Sequence, residues 1–272
     1  MKGIREPAVA GMFYPATSPK LKEQINQLLN EAVQLEQYSN VAGIVSPHAG
    51  YLYSGKTAAY GFNSLLKRDY ETVIIISPSH REYFRGISIY DGEAYRTPLG
   101  DVPVNKEMIE KITTDSKIIF KGIQGHRAEH AVEVQIPFLQ MILKDFSIVP
   151  IVLGDQSRNF VFELADKLAL VIDDKTLIIA SSDLSHFYSR SMADKLDSVV
   201  ESDINNNDYE KLQSDLETGR CEACGGGAIV AMMRTANLTN KKNARVLSRT
   251  DSGDVTGDHS EVVGYLSAVI YS

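Results

Sequence analysis

The sequence predicts an α/β protein, a single αβα sandwich whose largely parallel (mixed) central sheet is covered by helices on both faces. Three observations predict it. Apolar β-rich runs recur along the chain, and "TVIIIS", "FSIVPIVL" and "TLIIAS" are continuously apolar, as strands covered on both faces tend to be. Helical patterns lie between the runs, and that alternation implies parallel pairing. The 272 residues are 43% hydrophobic, enough for a substantial core without disulfides.

Taken in order, the strands are expected at 41–46, 73–77, 86–90, 147–153, 176–181 and 262–271. The first helix is "SPKLKEQINQLLNEAVQL", with Ser18 as its N-cap and Pro19 at the first helical position. Others are expected at 55–67, 105–112, 159–172 and 191–204, and over "AIVAMMRTA" after the glycines that follow Cys224. The stretch "GHRAEHAVEVQIPFLQMIL" (125–143) reads chiefly as a core helix through Val132, Ile136, Leu139 and Leu143, kinked or broken near Pro137. "DSGDVTGDHSE" (251–261) is a polar, Gly-rich loop in which His259 faces solvent or hydrogen-bonds the loop. No repeat, low-complexity stretch or linker divides the chain, so 1–272 reads as one domain.

Composition excludes several functions. The net charge is −7 and the basic residues are dispersed, which is no footprint for nucleic acid. No apolar run approaches the ~18 residues of a membrane span, and the N-terminus lacks a signal peptide's apolar region. Cys221 and Cys224 lie three apart, which is no disulfide framework. The expected setting is cytoplasmic.

In open parallel sheets the functional crevice lies beyond the carboxyl ends of the strands. His48, in "SPHAGYLYSGK", and His80, in "SPSHRE", both follow such ends, with Gly50 and Gly55 available for sharp turns near His48. Each histidine has a plainer reading as the cap of a turn. Asp183 and His186 form an Asp-x-x-His pair after another strand, and a carboxylate near an imidazole can orient it as base or metal ligand. The plainer reading makes Asp183 a turn cap. Cys224 precedes a helical pattern, where the dipole favours thiolate, though a small buried cysteine reads equally well. Cys221-x-x-Cys224 resembles half a zinc site or a redox dithiol, without a second pair. His126 and His130 stand at i, i+4 with Glu133 a turn further, on one face if the segment is helical. His130 or Glu133 would then support the ligands from behind. A nucleophile elbow, a phosphate-binding loop and a dinucleotide fingerprint are all missing.

These motifs resemble the Memo family, also described as AmmeMemoRadiSam system protein B. The likeness runs nearly end to end, through "REPAVAGMFYPA", "SPHAGYLYSG", "IISPSH", "EHAVEVQIPFL", "SSDLSHF", "CGGGAI" and "GDHSEVVGYLSAVIY". The family looks similar in fold to the class III extradiol dioxygenases, which use non-haem iron(II). The resemblance implies a pocket uniting His48, His80, Asp183, His186 and Cys224, with His48, His80 and Cys224 as metal ligands. It also implies Tyr51 and Tyr53 at the rim. His186, oriented by Asp183, would be a general base or a substrate-polarising acid. The dioxygenases use two histidines and a carboxylate, whereas the third ligand here looks like a thiolate, which suits iron, and also zinc or copper(I). The expected cofactor is iron(II), with copper or zinc as alternatives, serving oxygen- or redox-dependent chemistry on an unknown small molecule. The alternative is a non-enzymatic binding module whose pocket takes a peptide or a small anionic ligand. A metal-free hydrolase is weaker, lacking an oxyanion device.

Overall fold

The computed structural model of the chain describes residues 3–33 and 36–272. Its strands are β1 (Ile4–Arg5), β2 (Gly43–Ser46), β3 (Thr72–Pro78), β4 (Ile87–Ile89), β5 (Ala94–Thr97), β6 (Gly100–Pro103), β7 (Ile119–Lys121), β8 (Ser147–Leu153), β9 (Thr176–Ser181), β10 (His186–Tyr188), β11 (Asn243–Asp251) and β12 (Val262–Tyr271). Its helices are α1 (Ser18–Glu31), α2 (Tyr51–Asn63), α3 (Lys106–Thr113), α4 (Ile136–Ile142), α5 (Arg158–Ala169), α6 (Arg190–Asn205), α7 (Tyr209–Glu217), α8 (Gly226–Leu238) and α9 (Gly253–Thr256).

The large sheet runs β10-β12-β2-β9-β3-β8-β4-β7, with β11 paired to β12. Its centre, β2-β9-β3-β8, is wholly parallel. Antiparallel pairing appears toward the sides, between β12 and β2 and between β4 and β8. A mostly parallel sheet with mixed flanks is the architecture the sequence predicts. The centre is also where the apolar runs are unbroken. Val73, Ile74, Ile75 and Ile76 of β3 are all fully buried, so both faces of that strand are covered.

The layering can be read from two adjacent residues of β2. Successive strand residues point to opposite faces. A Cβ built at Gly43 would lie 2.5 Å from Met232 Sδ of α8, whereas Ile44 reaches Gly61 of α2. Helices α8 and α2 therefore cover opposite faces of one strand. A second, small sheet, β1-β5-β6, joins the same core through Tyr95 and Val102.

Among the described residues no helix is long and apolar enough to cross a membrane. Several local expectations need correction. Helix α1 takes Thr17 as its cap, which puts Ser18 inside the helix; the last two residues of the expected 18–35 segment, Gln34 and Leu35, lie outside the described residues. Helix α2 starts at Tyr51, so Gly55 is within a helix and makes no turn. The expected 125–143 helix is realised only as a short 3₁₀ turn, Glu133–Gln135, followed by α4. Pro137 sits in the first turn of α4, where its missing N–H costs nothing.

Strands β2, β9 and β3 are neighbours and parallel, so Ser46, Ser181 and Pro78 end at the same edge of the sheet. Whatever follows those three residues is delivered to one place.

Candidate metal centre

Two residues past β2 and two past β3 stand His48 and His80, and Asp183 stands two past β9. Cys224 comes from the opposite direction, just before α8, and its main-chain N–H donates to Asp183 O at 3.1 Å. His48, His80 and Cys224 offer ligand atoms that all lie within 4.8 Å of one another. The closest approach is His48 Nε2 to Cys224 Sγ, at 3.1 Å. The rings of His48 and His80 meet edge to face with centroids 5.0 Å apart.

Hydrogen bonds fix which nitrogen of each ring is available. Ser181 Oγ donates to Ala131 O at 2.7 Å and accepts from Gln135 Nε2 at 2.9 Å. Its single proton is thus used, so its 3.0 Å contact with His48 Nδ1 makes the imidazole the donor. The lone pair of His48 then lies on Nε2, toward Cys224. His80 Nδ1 lies 2.9 Å from Glu129 Oε1, an acceptor, so its lone pair is on Nε2 as well. A carboxylate or hydroxyl holding the far side of an imidazole is the arrangement found behind metal-bound histidines. Burial, reinforced by the charge of His80, pushes the pKa of His48 down to about 3, so its ring is neutral near pH 7.

Glu129 was not singled out in the sequence, yet it anchors this half of the site. Its carboxylate accepts from His80 N at 2.6 Å, His80 Nδ1 at 2.9 Å, His130 N at 2.9 Å and Ala131 N at 3.0 Å. With His80 and His130 it forms a second group of ligand-sized spacing. Oε1 accepts three of these bonds and Oε2 one, so most of the carboxylate's capacity is already used within the protein. The signal for Glu129 was its place directly before His130; Ser181 and Gln135 gave no signal beyond a strand end and a core position.

Asp183 departs from its expected partner. Oδ1 accepts from the main-chain N–H of His48 at 2.7 Å, and no hydrogen bond joins Asp183 to His186 among the described residues. The Asp183 N–H donates to Cys224 Sγ at 3.2 Å. Asp183 therefore fastens the His48 loop and the Cys224 loop together. His186 opens strand β10 and lines a cleft of ≈ 400 Å³ with Gln156, Glu222 and Cys224. The next residue, Phe187, takes φ 64° and bulges out of the β10–β12 pairing, 72% exposed. An exposed aromatic in a left-handed conformation beside a candidate site is unusual.

Of the two readings of Cys224, the buried thiol is the one this site favours. Burial, then the charge of Asp183, pushes its thiol well above the ordinary value. The charge-stabilising N–H groups do not outweigh the loss of water. Cys221 is buried in the core and is no part of the ligand group.

The other expected residues are placed as follows. Tyr51 is buried rather than at the rim, donating to Val134 O at 2.6 Å, because α2 begins there and turns the ring inward. Tyr53 is exposed, and both tyrosines line a separate cleft of ≈ 740 Å³ between α1, α2 and β11. Glu133 does not support the ligands. It accepts from Arg5, Tyr14, Ala8 N at 2.7 Å and Val9 N at 3.0 Å, so it staples the N-terminal arm to the body. His126 is buried elsewhere, between Tyr95 Oη at 2.8 Å and Ser88 O at 3.2 Å. His259 is exposed and lies beside Arg190.

The family described as Memo-like protein matches residues 5–269. A MEMO1 family protein of Thermoplasma acidophilum is 41% identical over 270 residues, covering 97% of this chain and 98% of that one. Its counterpart in Methanocaldococcus jannaschii is 35% identical over 287 residues, covering 99% and 100%. Among solved structures, an uncharacterized protein of Escherichia coli K12 superposes with a TM-score of 0.56 at 14% identity. It covers 85% of this chain and 99% of its own, a likeness of fold alone.

Proposed function

The chain belongs to the Memo-like protein family, and from that premise we propose that it binds one transition-metal ion, iron first, between His48, His80 and Cys224. The ion would serve oxygen- or redox-dependent chemistry on a small molecule. One observation carries the reading. Both imidazoles are held by Nδ1, which leaves their Nε2 lone pairs free, and the two histidines and the thiol offer ligand atoms within 4.8 Å of one another.

The donor set fits such an ion. Neutral imidazole suits iron, copper and zinc, and thiolate adds preference for the softer of these. A bound iron(II) would supply redox capacity and coordination positions for exogenous ligands. The protein's own residues do the rest. Asp183 ties the His48 and Cys224 loops together, and Glu129 holds His80. Cys224 must lose its proton when it ligates, so affinity should rise with pH. His186 faces the ≈ 400 Å³ cleft beside Cys224, where it would take or give a proton to a bound molecule.

Elemental analysis with electron paramagnetic resonance, on protein purified without oxygen, tests the reading. Stoichiometric iron supports it. A metal-free pocket that still binds peptide would replace it with the binding-module reading.

A further inference from the structure

A third imidazole stands against the pair. The ring centroid of His130 lies 5.4 Å from that of His48 and 5.0 Å from that of His80, and Phe13 packs edge-on at 4.9 Å. His130 nonetheless does not join His48 and Cys224 in a group of ligand-sized spacing. By spacing it groups with His80 and Glu129 instead.

Its hydrogen bonding is incomplete. Nδ1 is buried and hydrogen-bonds nothing, although Glu129 Oε1 lies 3.3 Å away. That oxygen already accepts from His80 Nδ1, His130 N and Ala131 N. A lone pair on Nδ1 would face a carboxylate, so the proton sits on Nδ1 and the lone pair on Nε2. Nε2 has no protein partner among the described residues and is not one of the enclosed polar atoms. A neutral imidazole presenting an unused acceptor beside two metal-binding rings is placed for an incoming donor. Its polar neighbour Glu129 is already committed to the His80 anchor.

We propose that His130 is a substrate contact, its Nε2 accepting a hydrogen bond from a hydroxyl of a small oxygen-bearing molecule bound at the ion. The inference rests on the metal reading above. It adds the chemistry of the substrate: an oxygen donor that also carries a proton to give.

The test is calorimetric titration of zinc-loaded parent, His130→Ala and His130→Gln with two probes. Acetohydroxamate binds metals through oxygen and carries protons to donate; azide binds metals and carries none. His130→Ala should hold zinc within about twofold of the parent, bind acetohydroxamate about tenfold more weakly and bind azide unchanged. His130→Gln, whose amide oxygen can accept, should recover part of the loss. Equal weakening of both probes, or of neither, overturns the inference while leaving the metal site intact. Loss of zinc as complete as in His48→Ala would make His130 a ligand and also overturn it. A parent that binds no metal would instead overturn the reading on which it rests.

Discussion

The main-chain N–H of His48 donates to Asp183 Oδ1 at 2.7 Å across 135 residues of chain. This bond, with the one from Asp183 N–H to Cys224 Sγ, joins two of the three candidate ligands. Asp183→Asn keeps an oxygen at the same place, so metal affinity should fall less than about tenfold. Asp183→Ala leaves a buried N–H without a partner, costing about 1–3 kcal/mol. It should also loosen His48. Urea denaturation and metal titration of the two variants check this; equal, severe effects from both would mean that the charge, not the acceptor, matters.

Glu129 gives a second prediction, with a definite sign. Burial alone would raise its pKa, but the His80 side chain and the main-chain N–H groups outweigh that and hold it down to about 2. A depressed carboxyl adds stability above its ordinary value of 4.5, and the contribution is lost as pH falls toward 2. The urea midpoint of the parent should therefore drop more steeply over that window than that of Glu129→Gln. At neutral pH the same variant should bind metal about 10–100-fold more weakly, because an amide NH2 replaces one of the two acceptor oxygens that hold His80.

Asp197 has the opposite sign. It is buried, accepts from Ser185 N at 3.1 Å, and burial raises its pKa to about 6 despite that bond. A carboxyl raised in the folded state costs stability once it must ionise, so the cost is absent below 3.8 and complete above about 6. Asp197→Asn retains the acceptor and removes the cost. It should be neutral near pH 3.8 and stabilising by about 1–3 kcal/mol at neutral pH, measured by urea denaturation at both.

Much of this site was legible in the sequence because strand ends are. Apolar β-rich runs located β2, β3 and β9, and parallel pairing carried His48, His80 and Asp183 to one edge. What failed was local. Helical spacing suggested that His126 and His130 share a face, but residues 126–132 are not helical, and Arg5 and Glu133 decide their path instead. Strand β11 went unread because its burial is only partial and its sequence, "NARVLSRTD", is polar. For Cys224 the sequence left a dipole-favoured thiolate and a buried thiol both open, and burial decides for the thiol. Pairings between distant segments, such as Glu129 with His80, have no local periodicity to betray them.

The N-terminal arm supplies a fourth prediction. Glu133 accepts from four groups on residues 5–14, including the buried Arg5. Glu133→Ala strands that guanidinium and should cost about 3–5 kcal/mol. Protease cleavage within residues 5–14 should become faster than in the parent, because the arm has lost its staple. An unchanged cleavage pattern would show that other contacts hold it.

The central claim is that His48, His80 and Cys224 share one ion. The most direct measurement is anaerobic iron(II) titration of the parent beside His48→Ala, His80→Ala, Cys224→Ser and Cys221→Ser, with circular dichroism as the folding control. The account predicts one equivalent of iron in the parent and in Cys221→Ser, and affinity lower by about 100-fold or more in the other three. A folded parent that takes up no iron, or a Cys221→Ser loss equal to that of Cys224→Ser, would contradict it.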